Sequence, residues 1–115
     1  MYALNLRIPI KQDTADAAEA SIEASTVTLS EQKGFRSFVL LRPTLPEQPY
    51  IAVSLWDSRY DFDAWKTTDD FKRLFMGSAI GSHDDLRPVL EAFEVALAIP
   101  APESTLREAE VSAYI

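Results

Sequence analysis

The spacing of apolar residues changes along this chain from every second position to every third or fourth and back, and that succession restricts the folds open to it. Residues 2–8 alternate: Tyr2, Leu4, Leu6 and Ile8 point one way, Ala3, Asn5 and Arg7 the other, and Pro9 ends the run. Such alternation marks a strand with two unlike faces. A helix of about 20 residues is predicted next. Asp13 or Thr14 is placed to cap it, and Asp16 and Glu19 lie in or near its first turn, where negative charge suits the macrodipole. Ala15, Ala18, Ile22 and Leu29 form its apolar stripe, and Gly34 is placed to stop it.

Two further strands are predicted, Phe35 to Arg42 and Tyr50 to Trp56, separated by a loop with three prolines from Pro43 to Pro49. In the second of these strands Ile51, Val53 and Leu55 share one face, and Tyr50, Ala52, Ser54 and Trp56 the other. Ser58 with Asp61, and Thr67 with Asp70, are capping-box spacings, and they predict short helices over 59–66 and 68–76, the second closed by Gly77. A loop from Gly77 to Pro88 and a strand from Val89 to Ile99 complete the pattern.

The order β-α-β-β-α-β is the ferredoxin-like split motif, an α+β fold with a four-stranded antiparallel sheet and helices on one face. Its other face is left bare. With Leu4, Leu6, Val53, Leu55, Val95 and Leu97 assigned to it, that face is apolar enough to require cover. A homodimer in which two sheets close into an α+β barrel is the economical solution.

Composition removes several function classes. The 115 residues make one domain over 1–99 with a C-terminal tail over 100–115. The absence of cysteine excludes disulfides, thiolate metal sites and cysteine nucleophiles, and the single histidine leaves no metal-ligating constellation. A net charge of -7, with scattered Lys and Arg, argues against nucleic acid as a partner. No apolar run approaches the roughly 18–20 residues of a membrane helix, and no signal peptide is visible, so the cytoplasm is the default location and a membrane partner is not expected.

Gly34-Phe35-Arg36-Ser37-Phe38-Val39-Leu40-Leu41-Arg42-Pro43, then Trp56-Asp57-Ser58, Phe62-Asp63-Ala64-Trp65 and Glu91-Ala92-Phe93-Glu94-Val95, resemble the antibiotic biosynthesis monooxygenase superfamily over about residues 1–99. Within it, the likeness leans to the small haem-degrading monooxygenases. In those, a strand-one Asn, a helix Trp and a helix His form the site. The resemblance assigns the first role to Asn5 and the second to Trp65. The His is expected nine or ten residues after the Trp, where this chain has Leu74 and Phe75, neither of which can ligate iron.

The candidate catalytic residues are therefore Asn5, Trp65 and His83. Asn5 is placed next to the helical layer, with an amide that can both donate and accept. His83 is either a solvated loop residue or a general base or axial ligand folded back over the cavity. Arg7, on the same face as Asn5, either neutralises an anionic ligand or pairs with Glu94. Phe62, Phe71 and Phe75 are candidates for binding an apolar aromatic substrate.

Three readings stay open at this point. One is a monooxygenase that oxidises an aromatic phenol or quinol with dioxygen, with no cofactor required. Another is a haem-binding or haem-degrading protein. The last is a dimeric ligand-binding or stress-related module with no chemistry of its own.

Overall fold

The computed structural model describes residues 1–78 and 88–100. The strands are β1 (Tyr2–Ile8), β2 (Phe35–Leu41), β3 (Tyr50–Trp56) and β4 (Val89–Glu94), and the helices are α1 (Ala15–Ser25), α2 (Arg59–Lys66) and α3 (Asp69–Ser78). All strand pairs are antiparallel, in the spatial order β2-β3-β1-β4. This is the ferredoxin-like α+β arrangement. No helix among the described residues is long and apolar enough to cross a membrane.

Several boundaries differ from the sequence expectation, each for a local reason. The first helix ends at Ser25 instead of running to Gly34, and only a short 3-10 turn, Leu29–Glu31, follows it. Ser25 Oγ donates to the Ser21 carbonyl and Thr26 Oγ1 to that of Glu23. Hydroxyls that compete for carbonyls, in a run of β-branched residues, make poor helix interior. Neither Asp13 nor Thr14 caps α1 through its side chain; the Thr14 hydroxyl donates to the Lys11 carbonyl instead.

The Ser58 cap of α2 forms as expected, with Asp61 N–H donating to Ser58 Oγ at 3.3 Å. The next helix is capped one residue later than expected: Phe71 N–H donates to Thr68 Oγ1 at 3.2 Å. That helix runs through Gly77 to Ser78. The last strand stops at Glu94, not Ile99, because Tyr2 opposite Glu94 is the end of β1; beyond it, Val95 N–H donates to the Met1 carbonyl.

The register decides which residues meet the helices. Leu4 lies opposite Ser54, Leu6 opposite Ala52 and Ile8 opposite Tyr50, all buried. With Trp56 they form one buried cluster with Ile22, Leu29, Phe62, Trp65 and Leu74. Leu4 and Leu6 thus belong to the core and not to the bare face, which corrects the sequence expectation. Val95 and Leu97 lie beyond β4.

The bare face carries Asn5 opposite Val53 and Glu91, Ala3 opposite Leu55 and Phe93, and Arg7 opposite Ile51 and Val89, with Val39 and Leu41 of β2 beside them. Val39, Leu41, Val89 and Phe93 are each about half exposed, at 49–53%.

Gly34, where the sequence predicted a helix stop, instead turns the chain into β2. Its φ of +78° is in the left-handed region, and a Cβ there would overlap the Asp61 side chain in the first turn of α2. Replacing Gly34 with Ala is expected to lower unfolding free energy by about 2 kcal/mol, from the backbone cost and the displaced carboxylate together. Urea denaturation followed by circular dichroism measures it.

Candidate functional site

Between the helical face of the sheet and the pair α2–α3 lies a cleft made almost entirely of carbon. Leu4, Leu6, Ala52 and Ser54 form its floor, Phe62 and Trp65 come from α2, and Phe71 and Leu74 from α3. Phe62 and Trp65 are three residues apart, as are Phe71 and Leu74, so each pair shares one face of its helix. The Thr68 cap breaks the helix between them and lets the two pairs converge. The rings meet edge to face: Trp65 and Phe71 have centroids 5.0 Å apart at 78°, and Phe62 and Phe71 5.9 Å apart at 86°. The space left is about 20 Å³, room for one water at most.

Two polar groups meet this apolar surroundings and are treated differently. The Trp56 indole N–H donates to Ser54 Oγ at 3.0 Å, so both are satisfied inside the core. Trp65 is equally buried, at 3% exposure, and its Nε1–H has no hydrogen-bond acceptor among the described residues. A buried donor left without an acceptor costs about 1–3 kcal/mol. Trp65, a lining residue of the cleft, therefore carries one unspent donor.

The residues singled out from sequence do not all assemble here. Trp65, Phe62 and Phe71 line the cleft, and Phe75 stacks behind Phe71 with centroids 6.0 Å apart. Asn5 lies on the opposite side of the sheet, because odd-numbered residues of β1 point away from the helices. Its amide reaches Glu91 Oε1 at 3.5 Å, so it is not beside the helical layer as expected, and within one chain it shares no site with Trp65. Arg7 shares that bare face. Its expected partner Glu94 sits opposite Tyr2, at the other end of β1 and on the other face, so no pair forms between them. His83, most of the Gly77–Pro88 loop and the tail over 101–115 lie outside the described residues.

Sequence reasoning passed over Ser54 and the paired floor residues Leu4 and Leu6. The signal for Ser54 was a lone hydroxyl two residues before Trp56 on the same strand face.

It also passed over a second polar cluster, at the far end of the sheet. Arg42 donates from Nε to Glu19 Oε2 at 2.8 Å and from Nη2 to Oε1 at 2.7 Å, and the Tyr50 hydroxyl donates to Oε2 as well. The Arg42 hydrogen bonds, then that from Tyr50, hold the Glu19 carboxyl down at about 2. Burial, then the hydrogen bond to Glu19, pushes the Tyr50 phenol up. Among the described residues, no group of three His, Cys, Asp or Glu could hold a metal ion.

The family profile for the antibiotic biosynthesis monooxygenases matches residues 1–75, which span β1 through most of α3 and therefore the whole α2–α3 wall of the cleft. The chain belongs to the antibiotic biosynthesis monooxygenase family. Solved structures agree at the level of fold. A putative antibiotic biosynthesis monooxygenase from Nitrosomonas europaea is 14% identical with a TM-score of 0.72, covering 84% of this chain and all of that one. SnoaB, a cofactor-independent oxygenase from Streptomyces nogalater, is 17% identical at 0.71, covering 87% and 97%. MhuD, a haem degrader from Mycobacterium tuberculosis seen with two haems bound, is 23% identical at 0.65, covering 85% and 98%. No curated protein matches the chain.

MhuD is seen with haem and SnoaB is a cofactor-independent oxygenase, and the donor set of this cleft bears on that difference. Leu74 and Phe75 stand where an iron-ligating histidine was expected, and the one oxygen of the floor, Ser54 Oγ, already accepts from Trp56. An indole N–H is a donor only. The described residues do not fit an axially ligated haem.

The Glu19 cluster has a pH signature. A carboxyl held at about 2 against an ordinary 4.5 stabilises the fold fully above pH 4.5 and loses that contribution as pH falls toward 2. The urea midpoint is expected to drop between pH 5 and pH 3 in the native chain. Glu19→Gln should show a lower midpoint at pH 7 and a shallower fall over the same interval.

Proposed function

We propose that this protein is a monooxygenase that oxidises an aromatic or polycyclic phenol or quinol with dioxygen in the cleft between the sheet and α2–α3, without a metal. The observation that carries the reading is the buried, unpaired Trp65 Nε1–H in an otherwise apolar cleft. A carbon-lined wall selects an apolar aromatic body, and a single donor selects one oxygen acceptor on it.

In this surrounding the indole N–H stabilises a phenolate more than a phenol, because an ionised acceptor makes the stronger hydrogen bond at low dielectric. The electron-rich phenolate is itself the reductant of dioxygen. In an anthrone-type substrate the reacting CH₂ becomes a carbonyl: its two C–H bonds break, one oxygen atom becomes doubly bonded to that ring carbon, and the other leaves as water with the two hydrogens. The protein orients the substrate, excludes water and holds the developing charge at Trp65 Nε1. A cavity of about 20 Å³ does not admit a ring system as it stands, so Phe71 and Leu74 on α3 must give way on binding.

The bare face of the sheet is proposed to be covered by a second copy of the chain, closing a barrel with Asn5, Arg7 and Glu91 as polar residues inside it. The half-exposed Val39, Leu41, Val89 and Phe93 support this. Sedimentation should give a two-chain mass for the native protein, and Val53→Asp, at the centre of that face, should shift it to one chain.

Oxygen uptake with an anthrone as substrate tests the reaction. Trp65→Phe keeps the ring and removes the donor, and it is expected to cut kcat by about ten- to a hundredfold, the worth of one hydrogen bond to a charged acceptor. Asn5→Ala should leave turnover unchanged. The opposite pattern, or no oxidation of any quinol offered, would sink the assignment. A saturable Soret shift with haemin at one haem per chain would move the chemistry to haem.

A further inference from the structure

A groove of about 390 Å³ runs between the start of α1 and the 42–48 loop, at the end of the sheet away from Trp65, and shares no lining residue with the cleft. Its volume falls within the range of about 300–1,000 Å³ typical of small-molecule sites. Its two walls are chemically unlike.

On the loop wall, the side-chain amide of Gln48 is fixed by its oxygen. Gln48 Oε1 accepts from Thr44 N–H at 3.0 Å, Leu45 N–H at 3.2 Å and the Thr44 hydroxyl at 3.4 Å. The oxygen must face these donors, so Nε2 with its two N–H groups is turned away from them, on a residue that lines the groove. Arg42 gives Nε and one Nη2 hydrogen to Glu19 and its guanidinium also meets the Tyr50 hydroxyl, while its side chain stays 72% exposed at the groove. This wall offers donors.

The α1 wall offers charge of the other sign. Both Glu19 oxygens are occupied by Arg42 and Tyr50, whereas Asp16, one turn before it, makes no hydrogen bond or ion pair among the described residues. Ile10, Ala15 and Pro46 add an aliphatic lining between the two walls.

We infer that this groove is a second binding site, for a small zwitterion whose ammonium meets Asp16 and whose carboxylate meets Gln48 Nε2 and the exposed edge of the Arg42 guanidinium. An aliphatic body of amino-acid or dipeptide size lies between those ends on Ile10, Ala15 and Pro46. A simple anion is repelled by Asp16, and a simple cation leaves the donor wall unused. The inference is independent of the proposed oxidation, because no residue is shared between the two sites.

Amide NMR titration of the full chain with leucine and with alanyl-leucine tests it. Saturable shifts confined to residues 12–19 and 42–50 are expected, with affinity of about a millimolar, since an open groove buries little of its ligand. Binding by leucine alone, or by the dipeptide alone, identifies which size the groove takes. Asp16→Asn should weaken binding about tenfold, as should Gln48→Glu. The latter keeps an acceptor for all three loop donors, so the loop holds its shape, while replacing the two outward N–H groups by an oxygen. Acetyl-alanyl-leucine amide, which has neither charge, should not bind. Absence of shifts at about ten millimolar ligand, equal binding of the blocked peptide, or indifference to both variants would overturn the inference.

Discussion

β1 is hydrogen-bonded on both sides, to β3 and to β4, and its register against the two is the constraint on which everything else in this protein depends. Side chains on a strand alternate between faces, so a shift of one residue would exchange the two faces completely. With Leu4, Leu6 and Ile8 turned to the helices, Asn5 and Arg7 have no choice but the bare face. The same parity, carried across β3, puts Trp56 and Ser54 in the core and Val53 and Leu55 outside. The composition of the cleft and that of the bare face are thus two consequences of one pairing.

The aromatic residues above that sheet then form one connected unit. Trp56 is fully buried and touches Phe35, Phe62 and Trp65. Phe71 extends the chain of contacts to α3. Within this unit the two tryptophans differ in a single respect: one indole N–H has Ser54 as its acceptor and the other has none. A core selected only for stability would pair or replace the second donor, because the penalty recurs in every molecule.

The helix end that sequence reasoning placed too late has a similar origin. Ser25 and Thr26 return their hydroxyls to carbonyls of α1, and the chain then reaches α3 through the hydrogen bond of Thr28 to Asp70. That hydrogen bond ties the segment after α1 to the start of α3, and Arg73, on α3 itself, holds the Asp70 carboxylate from the other side. The wall of the cleft that carries Phe71 and Leu74 is therefore anchored to a helix outside the cleft.

The features legible from residue order alone were local and periodic. Alternation over Tyr2–Ile8 and Tyr50–Trp56, three- and four-residue spacing over Phe62–Trp65 and Phe71–Phe75, and the Ser58 cap were all legible, and together they imply the ferredoxin-like order of elements. The quoted motifs around Gly34, Trp56 and Trp65 likewise pointed to the family, and Trp65, Phe62 and Phe71 to the cleft. The pairing between distant segments was not legible. Alternation divides Leu4 from Asn5 without saying which of them meets the helices, and both assignments leave an apolar face. Only the position of α1, α2 and α3 on one side of the assembled sheet breaks that tie, and it moved Leu4 and Leu6 inward and Asn5 outward. The Glu19–Arg42–Tyr50 cluster was hidden for the same reason: its members come from three separate elements, 19 on a helix, 42 after one strand and 50 at the start of the next, and nothing in their spacing brings them together before the fold does.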